Sequence, residues 1–142
     1  MKIPQRRFSS IVALALLLCF SSCTNHVEMA ELKEAAEHGE NAYRQYRTGD
    51  YATAKEALLN YVRYLEGKVA DPSSTLGETA KADLMINYAR LAKLEERNNG
   101  PEREVYMQKA VAMCQQLKVQ RKCSPIDMEA QIGAIDDMLQ VK

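Results

Sequence analysis

From Val27 onward, apolar residues recur every third or fourth position, and no stretch alternates every second residue as a half-buried strand would. The spacing predicts a first helix from Val27 to Arg47, with Met29, Leu32, Ala36, Gly39, Tyr43 and Tyr46 on one stripe. Thr48-Gly49 ends it, glycine being the usual residue where a chain leaves a helix in a left-handed conformation. Asp50 caps a second helix with Tyr51, Ala54, Leu58, Tyr61 and Leu65 inward. So short a turn forces the pair antiparallel. Gly67 to Ser74 reads as a loop, and Thr75 with Glu78 as a capping box. A third helix follows to Arg97, with Ala80, Leu84, Tyr88 and Leu91 on its apolar face, and Asn98-Asn99-Gly100-Pro101 breaks it. A fourth carries Tyr106, Ala110, Met113 and Leu117. Ser124-Pro125 opens a fifth with Met128, Ile132, Ile135 and Leu139 inward. The expected fold is all-α: antiparallel helical hairpins plus a C-terminal closing helix.

The segment before Val27 follows a different rule. Lys2, Arg6 and Arg7 precede an unbroken apolar run from Ile11 to Phe20, and Ser21-Ser22 lead into Cys23. Such a run falls well short of the roughly 20 residues that span a hydrocarbon core. Charge, short apolar core and small residues, in that order, form a secretory signal. Phe20-Ser21-Ser22-Cys23 resembles the lipobox of bacterial lipoproteins, although leucine is commoner where Phe20 stands. The resemblance implies that residues 1–22 are removed and that Cys23 carries the lipid. Ordinary signal cleavage and an uncleaved anchor are the competing readings. Thr24 after the lipidated residue resembles an outer-membrane sorting signal, which would place the protein in the cell envelope facing the periplasm if the host is Gram-negative. Residues 23–26 then form a short tether, about 10 Å when extended, and residues 27–142 the folded domain.

Removing residues 1–22 changes the charge balance. They hold three of the 19 basic residues and none of the 19 acidic ones, leaving 16 against 19 and a mildly acidic chain. Phe8 and Phe20 leave as well, so the seven tyrosines are the only aromatic residues of the domain. A chain without a basic stripe is a poor partner for nucleic acid.

Ala42, the turn Gly49-Asp50-Tyr51, and Ala54 four residues before Leu58 resemble a tetratricopeptide repeat. The second hairpin matches less well: Leu91 and Ala110 are in place, but Arg103 stands where the repeat has alanine. Its turn follows the first by the interval from Gly49 to Gly100, longer than the family's roughly 34 residues. A generic helical bundle accounts for the same periodicity. The resemblance implies a concave groove lined by the first helix of each hairpin, which maps onto Tyr43, Arg47, Met85 and Tyr88. Tyr43 and Tyr88 read equally well as core. The family's lysine and asparagine clamp for a terminal carboxylate is not recognisable.

Signals for catalysis are sparse. His26 lies beside the lipid site and His38 on an exposed helical face, with no convergent partner. Glu28, Glu31, Glu34, Glu37 and Glu40 spiral around the first helix, so they read as solvated charges offsetting its dipole. Lys118, Arg121 and Lys122 offset the opposite end of the fourth helix. Cys114 and Cys123 form a candidate disulfide that an oxidising compartment permits, against a buried Cys114 thiol with an exposed Cys123. No catalytic residue, metal site, cofactor or small-molecule substrate is expected. The function expected is a membrane-tethered, non-enzymatic adaptor that binds a membrane-proximal envelope protein in assembly or secretion. The alternative is a structural lipoprotein forming a helical homo-oligomer.

Overall fold

The computed structural model describes the backbone of residues 9–118 and 122–140, and the side chains of residues 26–118 and 122–139. The side chain of Cys23 and the whole of Arg121 therefore lie outside the described residues. All regular structure among the described residues is helical: α1 (Ser9–Thr48), α2 (Tyr51–Ala70), α3 (Gly77–Arg97), α4 (Arg103–Gln116) and α5 (Pro125–Gln140). α1 packs on α2, α2 on α3, and α3 on α4, while α5 closes against both α3 and α4. This is the expected all-α arrangement of helical hairpins and a C-terminal helix.

α1 departs from the expected start at Val27, because it runs unbroken from Ser9 through residues 23–26. No proline or glycine interrupts residues 9–38, and the Ala/Leu-rich segment has strong helix propensity. No extended tether separates Cys23 from the helix. At the other end, Gly49 has no positive φ. It is required for room instead: a Cβ there would sit 2.7 Å from the Gln45 carbonyl oxygen, whose partner is the Gly49 N–H at 2.8 Å. Asp50 then accepts from the Thr53 amide at 3.0 Å and caps α2. In the α3–α4 turn it is Asn99 that takes a positive φ, of 51°, a conformation asparagine tolerates better than most residues.

The core is continuous through the hairpins. Ala42 and Tyr46 of α1 join Ala54, Leu58 and Leu65 of α2, Ala80, Leu84 and Leu91 of α3, and Tyr106 and Ala110 of α4. Small residues at Ala54 and Ala110, both fully buried, let the helices approach closely. On α5 the inward line is Met128, Ile132 and Asp136, a step of four. Leu139, expected inward, is 45% exposed. The reason is that Asp136 has partners inside the fold, and turning it inward carries Leu139 toward the rim.

Carboxylates fasten two of the connections. Glu95 on α3 is fully buried; it receives Lys55 Nζ at 2.7 Å, the Tyr51 hydroxyl at 2.7 Å and the Glu102 amide at 3.3 Å. Gly100 is obligatory beside it, since a Cβ would fall 1.8 Å from Glu95 Oε2. Burial alone would raise the Glu95 pKa, and these donors outweigh it and lower it. At the opposite end Glu31 reaches from α1 to the α2–α3 connection. It accepts from Lys68 Nζ at 2.9 Å, the Thr75 amide at 2.9 Å and the Thr75 hydroxyl at 2.8 Å. The expected Thr75–Glu78 capping box is therefore absent: α3 begins without a side-chain cap, because Thr75 is engaged by Glu31. Glu31 is thus no solvated member of a glutamate row.

Cys114 at the end of α4 is bonded to Cys123 just before α5, with 5.7 Å between Cα atoms. Ser124 and Asp127 cap α5 reciprocally, the Ser124 amide donating to Asp127 Oδ2 at 3.1 Å and the Asp127 amide to Ser124 Oγ at 3.3 Å.

Closing the short Cys114–Cys123 loop, nine residues in sequence separation, contributes on the order of 2–3 kcal/mol in the chain-entropy model. Reductant should lower the thermal midpoint, Cys114→Ser should abolish that response, and two titratable thiols in unreduced protein spanning residues 27–142 would contradict the bridge. The hydrogen bonds from Lys68 and Thr75 hold the Glu31 pKa down at about 2, from 4.5. A depressed carboxylate pKa stabilises the fold above the unfolded value and loses that contribution as pH falls from 4.5 toward 2. The gap in thermal midpoint between wild type and Glu31→Gln should be full above pH 4.5, vanish near pH 2, and shrink with salt.

Candidate functional site

α1 and α3 do not close on each other. Between them lies an open groove of about 540 Å³, with Leu32, Ala35, Ala36 and Gly39 of α1 on one wall and Leu76, just before α3, with Ala80 and Ile86 of α3 on the other. Tyr61 and Leu65 of α2 form its floor, and Ile135 and Leu139 of α5 stand at one end. The apolar stripe of α1 is therefore divided by use. Its C-terminal end, Tyr46, is core beside Ala42, whereas Leu32 faces the groove at 41% exposure. Gly39 keeps the floor close: a Cβ there would lie 3.0 Å from the Tyr61 hydroxyl oxygen.

Of the expected groove residues, only Tyr43 lines this one. Met85 and Tyr88 are buried in the core on the other side of α3, and the Tyr88 hydroxyl donates to Glu66 of α2 while Lys109 of α4 approaches its ring. Arg47 is exposed outside the groove. The correction is one of helical phase. Leu84, Tyr88 and Leu91 form the face that packs on α2 and α4, so the groove face of α3 is offset from it and carries Asp83, Ile86, Asn87 and Arg90.

That face holds the polar groups. The Arg90 guanidinium meets Asp136 Oδ1 with Nε at 3.1 Å and Nη2 at 2.9 Å. It lies over the Tyr43 ring, 4.6 Å from its centre. Tyr46 donates to Asp136 Oδ2 at 3.3 Å, and burial, then the Asp136 charge, push its own pKa up to about 12. This network joins α1, α3 and α5 at one end of the groove. About two turns back along α3, Tyr61 donates to Asp83 Oδ2 at 2.8 Å. Burial raises the Asp83 pKa, and the Tyr61 hydrogen bond and Arg90 oppose the rise. Asn87 is 2% exposed and donates to the Asp83 carbonyl at 2.8 Å; its Oδ1 is the one buried side-chain polar atom among the described residues without a hydrogen-bond partner.

A second, smaller cleft of about 120 Å³ lies between α3, α4 and α5, and Arg103 pairs there with both Glu96 and Glu129. Among the described residues no three His, Cys, Asp or Glu side chains converge as a metal site requires. His38 stacks on Tyr64, 4.5 Å between ring centres. Among the described residues no helix is long and apolar enough to cross a membrane. In comparisons with known proteins, no family model, curated protein or solved structure matches the chain.

Sequence reading missed Arg90, Asp136, Asp83 and Asn87. The signal was present in part: Asp83, Asn87 and Arg90 share one face at helical spacing, and Met128, Ile132 and Asp136 step by four. Nothing in one sequence says that the two faces meet. Removing one partner of a buried ion pair leaves an uncompensated charge. Asp136→Ala should therefore cost about 3–5 kcal/mol in chemical denaturation, and Arg90→Met with Asp136→Leu should recover most of it.

Proposed function

We propose that this protein is a lipid-anchored lipoprotein of the bacterial envelope that binds another envelope protein through the groove between α1 and α3. The open groove is the observation that carries the reading. A helix stripe that the sequence makes apolar is left without a covering element over Leu32, Ala35 and Ala36, and exposed apolar surface of this kind marks partner sites. Its position between the first helices of two hairpins is where a tetratricopeptide-like module would hold a partner. The anchor rests on the signal-like segment 1–22 and the lipobox-like Phe20-Ser21-Ser22-Cys23. If Cys23 is the lipidated residue, the continuous α1 places the groove's first wall residue, Leu32, about 14 Å along the helix from the lipid. The partner is then met at the membrane.

Self-association is the second reading, favoured by Ile126 and Met138 of α5, which are 77% and 67% exposed. One set of variants separates the readings. Cys23→Ser should abolish incorporation of labelled fatty acid. Ala36→Arg, at an exposed position of the groove wall, should leave the thermal midpoint nearly unchanged while removing the protein's crosslinked partner in cells; Val105→Arg on α4 should not. Unchanged capture by Ala36→Arg would overturn the groove, and a native mass of two chains lost on Ile126→Lys would favour the homo-oligomer.

A further inference from the structure

The groove's polar atoms specify more than an apolar partner. Asp83 and Asn87 lie one helical turn apart on the groove face of α3. The Asn87 amide orientation is fixed by its donation to the Asp83 carbonyl; the reverse orientation would set two oxygens against each other. Its Oδ1, buried and unpartnered, is therefore an acceptor waiting for a donor. Beside it, the Asp83 carboxylate has one donor, Tyr61, and among the described residues no Lys or Arg nitrogen within salt-bridge distance. Glu40 adds a second carboxylate to the lining. Arg90 is the groove's cation, and its charge is already matched by Asp136, which Lys93 also approaches at 3.8 Å. The groove thus presents acceptors and net negative charge set in apolar walls.

The walls decide the form of the occupant. Both are α-helices, whose backbone groups are paired internally, so they offer no edge to an extended peptide. An extended segment would bury its own N–H and C=O groups unpaired. An acyl chain has no such groups, but it would cover the Asp83 and Asn87 acceptors without supplying a donor. A helix satisfies its own backbone and can carry one donor on its apolar face. From Leu32 to Tyr43 and from Leu76 to Arg90 the walls run roughly 16–21 Å, three to four turns.

Resting on the groove as the partner site, we infer that its occupant is an amphipathic helix of another protein, three to four turns long, with a lysine or arginine on its apolar face seated between Asp83 and Asn87 Oδ1. The basic residue supplies the donor that Asn87 lacks and the salt-bridge partner that Asp83 lacks.

The test pans a library of 18-residue amphipathic helices, randomised at every position of the apolar face, against the full chain held in nanodiscs. Enriched helices should share one Lys or Arg at a fixed register. Replacing that residue by norleucine should weaken binding about ten- to a hundredfold, the range of a buried charge-assisted hydrogen bond. In Asp83→Asn, whose amide oxygen still accepts from Tyr61, the same replacement should cost under about threefold, since the coupling is gone. If Asp83→Asn does not fold, Asn87→Leu takes its place, and the norleucine penalty should be smaller than in wild type because one of the two acceptors is gone; an undiminished penalty overturns the inference. Enriched apolar helices without a fixed basic residue, or an equal norleucine penalty in wild type and Asp83→Asn, overturn this inference and leave the groove as a partner site. Absence of any groove-binding helix removes both. Saturable binding of a fluorescent fatty acid that Ala36→Arg blocks, or dimerisation through the groove, replaces the helix with another occupant and overturns the inference.

Discussion

Asp136 enters the fold on the last helix as a carboxylate 3% exposed to solvent, and it has to be matched there. Arg90 matches it from α3, Tyr46 from α1, and the Tyr43 ring covers the guanidinium. Charges taken out of water recover their solvation only with good geometry and several donors, so this one carboxylate fixes the relative placement of three helices. α5 cannot slide without stranding a charge. Because α5 is held there, Ile135 and Leu139 stand at the end of the groove and the apolar half of the α1 stripe stays uncovered.

Glu95 and Glu31 apply the same device at the two ends of the hairpins. Glu95 collects donors from α2 and from the α3–α4 turn, and its carboxylate occupies the space that a side chain at residue 100 would need. Glu31 ties the open half of α1 to the α2–α3 connection through Lys68 and Thr75. The two together hold α1 and α3 at a set separation without packing one on the other. A groove between helices survives only if its walls are prevented from collapsing, and these polar fastenings, with Tyr61 and Leu65 beneath, prevent it.

The core side and the groove side differ in how their polar residues are satisfied. Among the described residues, the buried side-chain polar atoms on the core side are partnered, as a low-dielectric interior demands. On the groove side Arg90 is matched by Asp136, but Asn87 Oδ1 has no partner and burial raises the Asp83 pKa. An interior built only for stability would have apolar residues at these positions. The proposed partner helix would use this hydrogen-bonding capacity.

The sequence by itself determined the helices, because helix identity is a local matter of periodicity, caps and breakers. Asp50, Ser124-Pro125 and the Asn98 to Pro101 turn end or begin helices where their backbone preferences require. It also made the Ala54–Leu58 and Ala110 close approaches legible, since small residues at helical spacing have few other uses. What the tertiary structure alone decided was phase and pairing. Half a turn of α3, roughly 180° at about 100° per residue, separates the face holding Met85 and Tyr88 from the face holding Asp83 and Arg90, and periodicity does not say which of the two meets α1. Leu139 was misplaced for the same reason: a step of three or four fits equally well until Asp136 finds Arg90. Glu31 looked solvated because its partners Lys68 and Thr75 lie far along the chain. Long-range pairs of this kind leave no local trace, because each residue obeys its own helix's rules and only folding brings their charges within reach.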